Sequence, residues 1–253
     1  MPAGTNVTAA VLVIGNEILS GRTQDVNLNW LAKELTALGI RLREARIVAD
    51  IEGEIVASVN ELRARYDYVF TTGGIGPTHD DITSSSIARA FGLPWVRHPD
   101  AVKILEAQYE PGQLNEARLR MATMPAGAEL VVNPVSGAPG YRIGNVFVLA
   151  GVPSIMRAMF DGVRGTLRGG PPLLSRTVST YLGEGTIAKP LGELQERFAG
   201  LDIGSYPFFR GGRFGTSLVI RGIDAAQIDA AAEGLRETIR SLGDVPIEGD
   251  PVG

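Results

Sequence analysis

The chain has no cysteine and only two histidines, His79 and His98, among its 253 residues. The first absence excludes disulfides, thiolate nucleophiles and cysteine-held zinc together. The second excludes a multi-histidine metal centre, so any metal must be held by oxygen ligands, as Mg²⁺ is. No apolar run approaches the roughly 20 residues of a membrane span. Met1 to Asn6 carries no basic cluster ahead of an apolar core, so no signal peptide is expected. An excess of basic residues is missing as well. The net charge of −4 argues against general nucleic-acid binding, which usually needs a basic face. No GxSxG pattern supports a serine nucleophile. These absences predict a cytoplasmic protein with neither membrane nor nucleic acid as partner.

The composition is otherwise ordinary for a globular protein, with 44% hydrophobic and 21% charged residues. The length favours one large domain and one small one. In the first two thirds, strand and helix signals alternate. Ala9 to Ile14, Leu42 to Val48 and Tyr68 to Thr72 read as strands; Val26 to Leu38, Glu52 to Arg65 and Thr83 to Phe91 read as helices. Such alternation predicts βαβ units and a mostly parallel sheet covered on both faces, with ligands at the carboxyl ends of its strands. Further on, Asp100 to Tyr109 and Asn115 to Met121 look helical, separated by Pro111-Gly112. Tyr141 to Ile143 and Val146 to Leu149 form a hairpin around Gly144-Asn145, and Ser154 to Leu167 is an amphipathic helix. Gly169-Gly170-Pro171-Pro172 breaks any regular element, which sets the expected domains at 1–168 and 173–253. The second part has β-α-β-β-α order (Arg176 to Tyr181, Ile187 to Phe198, Ile203 to Phe208, Thr216 to Arg221, Ala225 to Leu242), a small ferredoxin-like α+β lobe.

The stretch from Thr71 to Thr83, Thr-Thr-Gly-Gly-Ile-Gly-Pro-Thr-His-Asp-Asp-Ile-Thr, carries the strongest functional signal. Glycines between a strand and a helix allow close backbone approach, and a helix N-terminus offers free N–H groups to a phosphate. Two carboxylates beside an anion site make sense when a divalent cation lies between them and the phosphates. The spacing matches neither GxGxxG nor GxxxxGK[ST], so neither a dinucleotide fold nor a P-loop is indicated. The plain alternative is a glycine turn with Asp81 or Thr83 capping the next helix. Gly15, Asn16 and Glu17 follow the first strand and suit either a ligand contact or an ordinary βα loop. Asp50 follows the second strand and reads alone as a helix cap, gaining weight only beside Asp81. Ser136, Gly137, Ala138, Pro139 and Gly140, and the Leu149 to Pro153 segment with Gly151 and Pro153, line a cleft or simply turn the chain. His79 reads as an exposed loop residue and His98 as structural. Arg210 and Arg213, flanking Gly211-Gly212, read as a solvated hairpin.

Four segments together resemble a known family: Gly15 to Asn27, Thr71 to Thr83, Asn133 to Tyr141 and Leu149 to Met156, with Ile203 to Pro207 in the small lobe. They look like the competence/damage-inducible protein A (CinA) N-terminal family of the molybdopterin-binding superfamily, which also holds the molybdopterin adenylyltransferases. The resemblance implies a three-layer α/β/α domain binding a pterin or nucleotide phosphate. For the CinA branch it implies metal-dependent hydrolysis of nucleotide pyrophosphates such as ADP-ribose. It places phosphate binding at Thr72, Gly73, Gly74, Gly76 and Thr78, and a metal, Mg²⁺ or Co²⁺, at the catalytic carboxylates Asp50 and Asp81. No haem, zinc or flavin is expected as a prosthetic group, and a homo-oligomer, dimer or trimer, is. Two departures stand out. Asp80 occupies the place where adenylyltransferases usually carry Arg, which favours hydrolase over transferase. Ile155 replaces the Glu of the family's Pro-Gly-Val-Pro-x-Glu-Met. Full-length members also carry a C-terminal deamidase domain that this chain does not reach, so that activity is not expected. Molybdopterin adenylyltransferase and a non-catalytic pterin- or nucleotide-binding module are the alternatives.

Overall fold

The computed structural model describes residues 7–110 and 112–250. The Met1 to Asn6 stretch read for a leader, Pro111 of the Pro111-Gly112 break, and residues 251–253 of the small lobe lie outside the described residues. The chain divides into two compact units, Met1–Gly170 and Pro171–Gly253.

In the first unit the order is β1 (Thr8–Ile14), α1 (Asn16–Leu19), α2 (Asn27–Ala37), β2 (Arg41–Val48), α3 (Glu52–Arg65), β3 (Tyr68–Thr72), α4 (Thr83–Phe91) and β4 (Trp95–Arg97). It continues with α5 (Pro99–Gln108), α6 (Glu116–Leu119), a 3-10 turn (Arg120–Ala122), β5 (Thr123–Pro125), β6 (Glu129–Val131), β7 (Gly140–Ile143), β8 (Val146–Leu149) and α7 (Pro153–Arg164). The main sheet has the order β2-β1-β3-β8-β7-β6. Its first four strands are parallel, β7 is antiparallel to β8, and β6 is antiparallel to β7. Helices cover both faces. Ala10, Leu12 and Ile14 of β1 join a core with Ile55, Val59 and Leu62 of α3, Ile87 of α4 and Leu105 of α5. Ala9, Val11 and Val13 join a second core with Leu31 and Leu35 of α2 and Met156, Met159 and Phe160 of α7. Burial on both faces explains why β1 reads as an unbroken apolar run rather than an alternating one. This is the three-layer α/β/α arrangement, with a mostly parallel sheet.

The second unit runs β9 (Leu174–Thr180), α8 (Glu184–Arg197), β10 (Asp202–Arg210), β11 (Arg213–Gly222), α9 (Ala225–Ser241) and β12 (Ile247–Glu248). Its antiparallel sheet, β10-β11-β9-β12, has the ferredoxin-like strand order. Val178, Leu218 and Ile220 pack against Ile187, Leu194, Ile228, Leu235 and Ile239 of the two helices. Gly211 and Gly212, at φ 55 and 74, close the β10–β11 hairpin, since a two-residue turn of this twist needs positive φ at both places.

Some elements differ from expectation. Asn16 to Leu19 is a helical turn, not loop, and the single helix expected from Asn115 to Met121 is α6 followed by a 3-10 turn. Strands β4, β5, β6 and β12, two or three residues each, carry too few residues for a periodic signal. No helix of the described residues is long and apolar enough to cross a membrane.

Candidate functional site

The carboxyl ends of β2, β1, β3 and β8 lie side by side, and the loops leaving them interlock. Gly15 N–H donates to Val48 O at 3.2 Å, and Gly73 N–H donates to Leu149 O at 3.3 Å. Gly73 and Gly74 have φ of 103 and 67, in the left-handed region. A Cβ on Gly73 would sit 2.1 Å from the Ile14 carbonyl oxygen, and one on Gly151 would sit 3.2 Å from Gly73 Cα. Position 73 therefore requires glycine, and position 151 is tightly packed against it. Thr83 ties the loop down: its hydroxyl donates to Gly73 O at 2.9 Å and its N–H to Gly74 O at 3.0 Å. Among the described residues, the N–H groups of Gly74, Ile75 and Gly76 donate to no protein atom. A row of successive amides without a protein acceptor is the kind of backbone from which anion-binding concavities are built. Gly73 itself contributes conformation and not its amide, which Leu149 holds.

Asp81 does not cap α4, and neither does Thr83; the α4 N-cap is Ile82, without a side-chain bond. Asp81 Oδ2 instead accepts from Thr78 N–H at 2.8 Å and from Thr78 Oγ1 at 2.6 Å. Asp80 Oδ1 lies 2.6 Å from the same hydroxyl oxygen. That contact holds the Asp80 carboxyl below its ordinary range. One hydroxyl proton serves one carboxylate at a time, so the pair retains unused lone pairs. Among the described residues, no three acidic or histidine side chains cluster to hold a metal unaided. Mg²⁺, however, takes one or two carboxylates and completes its shell with water and phosphate oxygens, and the Asp80–Asp81 oxygens fit that demand.

Asp50 is not the cap of α3 either, a place taken by Ile51. Its Oδ2 accepts from Asn16 N–H at 2.8 Å, at the start of α1. Asp50 follows β2 and the Asp81 loop follows β3, and β1 lies between those two strands. Two strand spacings put their ends about 10 Å apart. Glu17 lies over Gly15, where a Cβ would meet its Oε1 at 2.5 Å. Gly151 O accepts from Asn27 Nδ2 at 2.7 Å, and Pro153 starts α7. The Ser136 to Gly140 segment is explained largely by its own turn. Asn133 Nδ2 donates to Ser136 Oγ and Ala138 O, and its Oδ1 accepts from the N–H groups of Val135 and Ser136. Gly137 packs on Gln108, and a Cβ on Gly140 would meet Val148 O at 2.5 Å. Of this segment, Pro139 shares a pocket with Gly76 and Asp81. His79 points into solvent, 99% exposed, and Arg213 lies over the Tyr181 ring at 4.1 Å.

Two contributors, Asn27 and Arg120, were given no role in the reading of the sequence. Asn27 is buried, with Oδ1 unpartnered, beside the Gly151 loop. The hydroxyls of Thr71 and Thr72 are buried without partners at the end of β3. Arg120, from the 3-10 turn, reaches Asp81 O at 3.4 Å. Asn27 stood within a recognisable motif; Arg120 carried no local signal.

Residues 10–168 match the model of the probable molybdopterin binding domain, and residues 172–244 match that of the FAD synthase middle domain. A protein of Pyrobaculum calidifontis is 38% identical over 79% of this chain and 80% of its own length. A probable FAD synthase of Caenorhabditis elegans is 33% identical over 92% of this chain, which spans 50% of that relative's length. The crystal structure of CinA from Thermoplasma acidophilum, a protein of unknown function by its description, superposes with a TM-score of 0.61. It is 33% identical, and the match covers 64% of this chain and 99% of that one.

Proposed function

The chain belongs to the molybdopterin-binding domain family, with CinA among its relatives, and on that premise we propose that it hydrolyses a nucleotide pyrophosphate, releasing AMP. The observation that carries this reading is the row of free amides at Gly74, Ile75 and Gly76, set beside the Asp80–Asp81 carboxylates at the ends of parallel strands. A concave set of N–H donors takes phosphate oxygens, and carboxylates there need a cation between them and the anion. The FAD synthase likeness of both the whole chain and its second unit favours a nucleotide ligand over a bare pterin. ADP-ribose and FAD, which share an AMP half joined through a pyrophosphate, are the substrate class.

In this reading Gly74 to Gly76 bind one phosphoryl group, while the Gly73 and Gly151 backbones hold the loop in place. Asp81 and Asp80 would hold the divalent cation, Mg²⁺ or Co²⁺, with Asp50 across the cleft on the side of α1. The ion, when bound, supplies Lewis-acid polarisation of the bridging phosphate and a lower pKa for attacking water. Thr78 keeps Asp81 oriented through two hydrogen bonds. Mass-spectrometric detection of AMP from ADP-ribose, FAD, NAD and adenylated pterin, with Mg²⁺ and then Co²⁺, tests the reading. AMP from one or more of the first three is the expected result. Binding of any of them without AMP release would place a non-catalytic nucleotide-binding module in front.

A further inference from the structure

We infer that Arg120 is a binding residue for the phosphate of the ligand, supplying from the 3-10 turn the positive side chain that the acidic loop lacks; the inference rests on the nucleotide reading above. The loop from Gly73 to Asp81 contains two carboxylates and no lysine or arginine. A diphosphate brings further negative charge to it. Arg120 comes from far along the chain and borders the same small pocket as Gly76 and Asp81, together with Trp95 and Tyr141.

The guanidinium is held in place but poorly satisfied. Its Nη2 makes one long bond, 3.4 Å, to Asp81 O, and its carbon stands 5.8 Å from the centre of the Trp95 ring. Its Nε is buried and has no partner. Among the described residues it forms no ion pair, whereas Arg65, Arg89 and Arg164, on helices of the same unit, each meet a carboxylate. A guanidinium presents five donors and seeks planar oxygen pairs on carboxylate or phosphate. Beside it the Tyr141 hydroxyl is buried and also lacks a partner of good geometry, although Ser84 lies near. Burial raises the Tyr141 pKa, so this group too stays a donor. The pocket between them measures about 10 Å³, room for one water or one ligand oxygen and not for a ring. Unused donors around space for a single oxygen suit an anion at the Gly76–Asp81 end of the loop, and leave any base or pterin ring outside it.

The test is calorimetric titration of the full chain with ADP and with inorganic pyrophosphate, over a range of salt. Arg120→Gln keeps an amide donor for the Asp81 carbonyl and removes the charge; Arg120→Lys keeps the charge. The Gln variant is expected to lose about tenfold to a hundredfold in affinity for both probes, the loss typical of a charge-assisted hydrogen bond. Its affinity should also depend less on salt, because the screened charge pair is gone. The Lys variant should fall between. A purely structural Arg120 would lower the melting temperature of the Gln variant and leave the salt dependence untouched. Native affinity and native salt dependence in a folded Gln variant would overturn the inference and leave the proposed function standing. Failure of the native chain to bind either probe would overturn both. Should the Gln variant not fold, the Lys variant decides: an affinity below native with the native salt slope retained supports the inference, and native affinity in a folded Lys variant overturns it.

Discussion

Asp81 gives one carboxyl oxygen to both the N–H and the hydroxyl of Thr78, an arrangement asparagine can reproduce with its carbonyl oxygen. Asp81→Asn should therefore fold normally and hold ADP nearly as well as the native chain. Turnover should nevertheless fall about a thousandfold, roughly 4 kcal/mol of barrier, since charge on the phosphates grows in the transition state where the cation matters most. Near-native AMP release from the folded variant would remove Asp81 from catalysis. Gly73 invites a stability measurement instead. With φ at 103 and the Ile14 carbonyl 2.1 Å from where a Cβ would stand, Gly73→Ala must shift backbone rather than a side chain. A loss of about 3 kcal/mol in chemical unfolding is expected, at the upper end for one strained residue. At this scale the glycines and acidic residues of the loop were legible, because local turn chemistry demands them. The roles within it were not. That Gly73 spends its N–H on Leu149, that Asp50 turns to Asn16, and that Arg120 reaches Asp81 all depend on neighbours brought together by the sheet.

Among the elements, β10 is an edge strand of nine residues with every chance of pairing with another chain. Its hairpin register turns the N–H groups of positions 203, 205, 207 and 209 away from β11. Gln195 Oε1 takes the Ile203 N–H at 2.9 Å, and Pro207 has none to offer. Pro207→Thr restores a donor in the middle of that row and should raise self-association above that of the native chain in sedimentation runs at rising concentration. Unchanged mass would mean that something other than Pro207 blunts the edge. At the end of β9, Asp244 accepts from Thr180 Oγ1 at 2.5 Å and from Tyr181 N–H at 2.8 Å. The Thr180 hydroxyl is the chief reason its carboxyl lies below the ordinary range. A carboxyl depressed in the folded state stabilises above its unfolded pKa of about 3.9, and that contribution disappears as pH drops through the folded value. Asp244→Asn should therefore be less stable than native at neutral pH, with the gap closing below about pH 4; a gap that stays constant in thermal unfolding across pH would refute the linkage. Long packed elements such as α3, β3 and α4 showed their limits in the sequence, because burial over several turns or a full strand repeats a pattern. Three-residue β4, β5 and β6 did not, since their pairing is decided by partners distant in the chain.

On the scale of the whole molecule, the two units share no buried core residue. The two cores of the first draw on residues between Val7 and Val163, and that of the second on residues between Val178 and Ile239. Each sheet also pairs only within its own unit. The groups assigned to phosphate and metal, from Gly15 to Gly151, all stand in the first. Stability arises from burial within a core, and domains that close their own cores can fold alone. Residues 1–170 expressed alone should therefore unfold cooperatively and bind ADP with the affinity of the full chain. Residues 171–253 should show their own cooperative transition, at the lower stability expected of a smaller core. The likeness of that second segment to the FAD synthase middle domain gives the comparison its interest. If the second unit selects the nucleotide's other half, fragment 1–170 should bind ADP normally yet discriminate less between FAD and ADP-ribose than the full chain does. Equal discrimination by fragment and full chain would assign selectivity to the first unit alone, and loss of ADP binding by a folded fragment would refute the assignment of the phosphate site to that unit.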